Sequence, residues 1–392
     1  MCASIARMIH ELDRTTSAWP ATADVAILGA GAAGMMVALA AAGRGLGVLL
    51  CDPLADQPNN FAISGGLFPA AGSALQRAGG VSDDSPERWL ADLRAFAPGA
   101  VNERIAAAVA HALPEAADFL LRALGAGLRW LPDMQAPGHA ALRFHSVTPA
   151  SGAAFHAHMR QRVLAQAGIH WWPRQIDARR LPGGGFEVKG EGAPSALRVR
   201  QLVLAGGGFG ADAELVARFI PGMAGALNNG SPTNNGSTLR LGLEWGAQVW
   251  GMDGYQGQGH THPGGATRLG MSIPTLGGLM LNRAGRRFVR EDVGPSALAP
   301  LVLAQADGLA LEVFDAAIEA QLGNHSAYQQ ARAAGRVIEA DSIAELASRA
   351  GVDEVALQAT LDEAMRCAQG QAQDPLGRAR FARVLQAPWR AS

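Results

Sequence analysis

The sequence predicts an α/β protein built on a parallel sheet, and three observations predict it. A short apolar run, Val25-Ala26-Ile27-Leu28, leads into the glycine turn Gly29-Ala-Gly31-Ala-Ala-Gly34. An Ala-rich stretch of helical character follows the turn, and a second apolar run in "LGVLLCDP" ends at Pro53. Strand, glycine turn, helix and strand within about 30 residues make a βαβ unit, whose strands lie parallel because a crossover helix joins them.

The remaining elements follow in order. Residues 1–23 read as an amphipathic or disordered lead-in without a continuous apolar core or a twin arginine, so no secretory signal is expected. Residues 57–80, rich in Gly, Asn and Ala, read as loop. Apolar spacing predicts helices at about 85–96, 101–125 and 152–167, and strands near 169–172, 185–189 and 196–204. Pro182-Gly183-Gly184-Gly185 marks a turn, and "LVLAGGGFG" is another strand running into glycines. From about residue 257 the chain turns to loops with His, Gly and Pro. It then passes through "GLMLNRAGRRFVRED" into a helical C-terminal third, where Asp341-Ser342 and Asp353 are predicted helix caps.

Composition narrows the function classes. The 392 residues carry 33 basic and 34 acidic side chains, a formal charge of −1, which argues against a strong nucleic-acid footprint. Lys189 is the single lysine; the other basic residues are arginines, the imprint of a GC-rich, bacterial genome. No P-loop lysine follows a glycine run, and Lys189 in "FEVKGEG" is a poor Schiff-base candidate. Cys2, Cys51 and Cys367 are too scattered for a disulfide framework, zinc site or iron–sulfur cluster, so a reducing, cytoplasmic setting is expected. No apolar run reaches the roughly 18 residues of a membrane span.

The glycine turn carries the first chemistry. Gly29, Gly31, Ala33 and Gly34 stand where a dinucleotide fingerprint places its pyrophosphate-facing turn. The first Gly permits the tight turn, the second lets backbone approach phosphate, and the third lets the helix pack close to the strand. The helix N-terminus adds N–H groups and a positive dipole end. Asp52, 18 residues past Gly34, ends the second run and can accept the hydroxyls of an adenosine ribose; it would repel a 2′-phosphate, favouring FAD or NAD over NADP. An NAD-linked dehydrogenase therefore stands beside an FAD enzyme at this point.

Further motifs resemble the fumarate reductase/succinate dehydrogenase flavoprotein family. The stretch "NNFAISGGLFPAAGSALQRAGGVSDDSPERWLADL" carries Asn59, Ser64, Gly65-Gly66, Ala70-Ala71 and Asp84-Ser85-Pro86-Glu87 in the family's order. "LVLAGGGFG" (Ala205, Gly206, Gly207), "TNNGSTLRLGLEWGA", "LNRAGRRFVRED" and "DSIAELASRAGVDEVALQATLDEA" resemble later family landmarks. The resemblance spans about 24–392. It implies a Rossmann-like FAD-binding domain with an inserted α+β capping domain, and hydride transfer between flavin N5 and a C–C or C=C bond activated by a carbonyl or carboxylate. The implied FAD contacts are Gly29, Gly31, Ala33, Gly34, Asp52, Asn59, Ser64, Gly65, Gly66, Ala205, Gly206 and Gly207.

The match breaks at defined places. Pro295 falls where family fumarate reductases carry an Arg as proton donor, and Met271 and Pro274 fall at their proton-path Glu and Arg. "MSIPTLGGLM" holds no ionisable side chain, so fumarate reduction by that route is not expected. Asn59 replaces the His that attaches flavin in membrane-complex members, which implies non-covalent FAD. His260 and His262, in His-Thr-His-Pro, fall where a family His-Pro faces substrate, and Arg290 is the nearest substitute for the missing Arg among Arg287, Arg290, Glu291 and Asp292. These three, His260, His262 and Arg290, are the catalytic candidates. The His-x-His pair lacks a Cys or acidic neighbour in sequence, so no metal site is assigned. His156 and His158 diverge on a predicted helix. Arg143 and His145 sit on a predicted loop, where Arg143 is an anion clamp or a surface residue.

The expected organisation is an N-terminal extension (1–23), an FAD-binding domain (24–256) and a capping or substrate domain (257–392). The chain ends in "RVLQAPWRAS", which resembles the family segment just before a C-terminal return to the FAD domain. The expectation is thus an FAD domain lacking that return. The partners expected are a small unsaturated acid or enone and an electron partner the sequence does not identify, without nucleic acid or a membrane span. The alternative function is a degenerate or truncated dinucleotide-binding protein without turnover.

Overall fold

The computed structural model describes residues 18–136, 138–263, 269, 272–323 and 326–392. Most of the 1–23 lead-in, and Met271 among the positions singled out above, lie outside them. The chain divides into two compact units, one of residues up to 212 with 230–248, the other of 213–229 with 249–392.

The first unit opens with β1 (Val25–Leu28), α1 (Ala32–Ala42), β2 (Val48–Cys51), α2 (Asn60–Ile63), β3 (Phe68–Pro69) and α3 (Ala74–Ala78). It continues through α4 (Pro86–Phe96), α5 (Glu103–Leu124), β4 (Leu128–Trp130), β5 (Phe144–Val147), α6 (Gly152–Ala165) and β6 (Ile169–Trp172). Then come β7 (Ile176–Arg180), β8 (Phe186–Gly190), β9 (Leu197–Val199), β10 (Gln201–Leu204) and α7 (Ser237–Glu244). Four strands form the parallel sheet in the order β10-β1-β2-β6, with Val25 beside both Gln201 and Val48, and Val48 beside Ile169.

That sheet is apolar because both of its faces are covered. Ile27, Val48 and Leu50 pack with Met35 and Leu39 of α1 and Phe155 and Met159 of α6. Ala26, Leu49 and Cys51 point the other way, toward Trp172, Ile176 and Val188. The second of those layers belongs to an antiparallel sheet, β7-β8-β9, whose first strand the apolar pattern did not reveal because Ile176–Arg180 is mostly charged and exposed. In a third sheet, β3-β5-β4, β3 and β5 lie in stretches read as loop and β4 in one given no element. Its strands are only two to four residues long and carry no period long enough to see.

In the second unit, β11 (Leu279–Leu281), α8 (Pro295–Leu303), β12 (Leu311–Asp315) and α9 (Ala316–Leu322) precede β13 (Ile338–Ala340), α10 (Ile343–Ala350), α11 (Glu354–Ala368) and β14 (Trp389–Ala391). The antiparallel sheet runs β11-β12-β14-β13. Its core joins Val313, Phe314, Ile318, Leu346, Leu357, Leu361 and Trp389. Ser342 and Asp353 cap α10 and α11, accepting the N–H groups of Glu345 and Ala356. Among the described residues no helix is long and apolar enough to cross a membrane.

Candidate functional site

The glycine turn is built at the C-terminal ends of β1, β2 and β10. Gly29 sits at φ +104°, and a Cβ there would come within 2.4 Å of the Ala205 carbonyl oxygen. A Cβ on Gly34 would lie 1.9 Å from the Gly29 carbonyl oxygen, so α1 packs directly on the turn. Gly31 instead faces open space. It caps α1 without a side-chain hydrogen bond, whereas α2, α3, α4, α5 and α6 are each capped by an Asn or Ser side chain. The first-turn N–H groups of α1 are therefore left for another acceptor, at the positive end of the helix dipole. At the end of β2, Asp52 accepts the Ala30 N–H (2.8 Å) through one carboxylate oxygen and the Leu54 N–H (3.0 Å) through the other. A carboxylate has about four acceptor positions, so capacity remains for hydroxyls.

The turn after β10 completes this cradle. Ala205 donates its N–H to Leu28. A Cβ on Gly206 would meet the Thr238 side chain at 2.5 Å, and one on Gly207 (φ +81°) would meet Asn234 Oδ1 at 2.4 Å. Gly236, at φ +70° and likewise a cap without a side-chain bond, opens α7 beside it.

The segment from Asn59 to Gly66 is seated on the start of α6. Asn59 Oδ1 accepts the Ala62 N–H, and its Nδ2 lies 3.4 Å from His156 Nε2. Burial, helped by Arg160, pushes His156 down to about 4, so the ring is neutral and its Nε2 can accept. Ser64 receives the Gly66 N–H on its hydroxyl and the Gly152 N–H on its carbonyl. A Cβ on Gly66 (φ +69°) would stand 2.4 Å from the Ser151 carbonyl carbon, while Gly65 is exposed. Asn60 accepts the Ser231 N–H, Ser231 accepts the Asn234 N–H, and Asn234 abuts Gly207. These contacts link the three glycine segments within one unit.

The catalytic candidates lie in the second unit. His260 is buried, and its Nδ1 donates to Glu312 Oε1 at 2.7 Å. His262 is half-buried; burial first, then Arg336, hold its imidazole below the ordinary range. Arg290 is exposed and donates to Asp292 at 2.7 Å. Its neighbours are buried: Arg287 pairs with Glu291 (2.8 Å) and Asp374, and Arg378 reaches Glu291 at 3.0 Å. These two guanidiniums face Phe381 and tie the 287–291 segment after β11 to the loop after α11.

One expectation is corrected. His145 is not on a loop but in β5; Arg143 lies in the loop just before that strand, and both are fully buried. Arg143 is neither a surface residue nor an anion clamp, because its guanidinium is held by Asp84 (2.8 Å) and Asp92 (2.6 Å). His145 bonds Ser73 Oγ at 2.7 Å, and burial lowers its pKa. Sequence reasoning missed Glu312, one of two acids in the short strand "LEVFD", and the backing of the second glycine turn by Thr238 and Asn234.

The geometry fits a dinucleotide cradle, and comparison with known proteins identifies the family. The sequence matches the FAD binding domain family model over residues 24–392. Fumarate reductase (cytochrome) of Shewanella frigidimarina is 26% identical over 355 residues, covering 87% of this chain and 60% of that protein. The open form of a flavocytochrome c3 fumarate reductase superposes with a TM-score of 0.78 at 22% identity, covering 98% of this chain and 68% of the other. 3-Ketosteroid delta1-dehydrogenase of Sterolibacterium denitrificans gives a TM-score of 0.72 at 19% identity, covering 95% and 87%. The chain belongs to the FAD-dependent fumarate reductase/succinate dehydrogenase flavoprotein family. It spans about 60% of the length of the Shewanella relative.

Proposed function

We infer that this chain is an FAD-dependent oxidoreductase acting on a carbon–carbon bond conjugated to a carbonyl or carboxylate. The observation that carries the reading is the cradle itself, where Gly29, Gly34, Gly206 and Gly207 leave no room for a Cβ while Gly31 opens outward. Bound FAD supplies hydride chemistry at its N5. The residues present fit it: α1 would offer N–H groups to the pyrophosphate, Asp52 would accept ribose hydroxyls, and the Asn59–Gly66 and Ala205–Gly207 backbones would contact the flavin. Asn59 is spent on Ala62 and His156 and offers no nucleophile, which supports non-covalent attachment.

On the second unit, His262 holds or polarises the substrate's carbonyl or carboxylate. Arg290 keeps an exposed guanidinium, paired with Asp292, and supplies the positive charge in this reading. The described run Ser272–Leu281 holds no ionisable side chain, which favours a substrate with one polar end over a dicarboxylate.

The test is to load the chain with FAD, reduce it without oxygen, and screen unsaturated monoacids and enones. Reoxidation of the flavin by at least one of them, lost in His262→Ala, is expected. A chain that binds FAD stoichiometrically but is reoxidised by none would be a dinucleotide binder without this activity.

A further inference from the structure

The two histidines of His-Thr-His-Pro differ in surroundings. The His260 ring is fully enclosed, with 0% side-chain exposure, and its partner Glu312 is 5% exposed. A carboxylate accepts and does not donate, so the proton on the bonded nitrogen belongs to His260 Nδ1. Charge-assisted bonds of this length, closed to water, are among the stronger polar contacts a fold can make. Glu312 is itself anchored: it sits in β12 opposite Met280 of β11, and its backbone exchanges two hydrogen bonds with Ser392.

The loop around His260 makes further contacts with its own unit. Gly257 donates its N–H to Ser296 Oγ at 3.1 Å, and a Cβ on Gly259 would strike Leu298 at 2.6 Å, so this backbone lies flat on α8. Asn229 donates to the Thr261 hydroxyl at 3.2 Å. The His260–Glu312 bond brings a buried carboxylate to this loop two residues from His262.

We propose that Glu312, through His260, is the positioning device for His262: the buried bond bolts the 257–263 loop to the capping sheet and sets where the substrate-contacting imidazole stands. Neither Glu312 nor His260 touches substrate. The proposal rests on the assignment of His262 to substrate in the preceding section, and it resolves which histidine has which task. Removing the carboxylate releases the loop, and His262 then becomes better solvated while still facing Arg336.

The experiment uses the 392-residue chain with ring-labelled histidine, the His262 signal being identified by its loss in His262→Gln. In Glu312→Leu the His262 titration midpoint is expected to rise by about half a pH unit or more toward the ordinary 6.5. With an active substrate, KM should rise about tenfold with flavin content unchanged. Glu312→Gln, whose amide oxygen still accepts the Nδ1–H, should restore both. Should Glu312→Leu fail to fold, Glu312→Asp withdraws the carboxylate by one methylene and should move both readouts the same way by less. An unchanged His262 midpoint and an unchanged KM in the folded variants overturn the proposal. A shifted midpoint in a protein that turns over no substrate would leave the bolt standing and sink the functional reading instead.

Discussion

The Asp52 carboxylate, at the end of β2, accepts the N–H of Ala30 inside the first glycine turn at 2.8 Å. One side chain thus braces the turn and presents acceptors at its mouth. Asp52→Ala removes both functions. FAD affinity should fall by about 10- to 100-fold, the worth of one or two hydrogen bonds to a charged group. Fluorescence titration of the apoprotein with FAD measures it, and an unchanged Kd would remove Asp52 from the ribose.

Arg143 is enclosed between Asp84 and Asp92, with Gln76 also donating to Asp84 at 2.7 Å. Arg143→Met leaves two carboxylates near one another without their cation. Breaking a buried pair from one side costs about 3–5 kcal/mol, so a large drop in urea midpoint is expected. FAD binding per folded molecule should hardly change, because no residue of the glycine cradle touches this guanidinium.

His156 gives the fold an acid-sensitive element. Its folded value is about 4 against an ordinary 6.5, so the unfolded chain binds the extra proton first as pH falls. The contribution is fully present above pH 6.5 and is lost progressively down to about pH 4, on the order of 3 kcal/mol at most. Urea unfolding of the wild type and of His156→Gln between pH 7 and 4 should show the wild type losing stability faster. Parallel pH profiles would remove His156 from the linkage.

Flavin attachment separates Asn59 from the histidine found there in some family members. Acid precipitation of the yellow protein should leave all flavin in the supernatant. Flavin that remains in the pellet would contradict non-covalent binding.

Much of the first unit was legible in the sequence because its signals are local. Gly29 answers to its own left-handed φ and Gly34 to the nearby Gly29 carbonyl; in the second unit Ser342 and Asp353 answer likewise to the N–H groups of their own helix turns. Arg143 was misread because its partners, Asp84 and Asp92, lie 59 and 51 residues away and no periodicity links them. The strands of the β3-β5-β4 sheet are too short to announce themselves, so a buried position read as a loop.

The second unit shows the same division at closer range. The sequence placed His260 and His262 as equals, two residues apart with the same chemistry available to each. Only the tertiary structure separates them, by seating Glu312 of β12 against one ring and leaving the other half-buried beside Arg336. By itself the sequence determined the βαβ unit, the glycine cradle and the family, since strand, turn and helix preferences act between neighbours in the chain. Folding decided which charges are spent on one another, because a carboxylate's partner is chosen by distance in space and by exclusion of water, and neither is written in residue order.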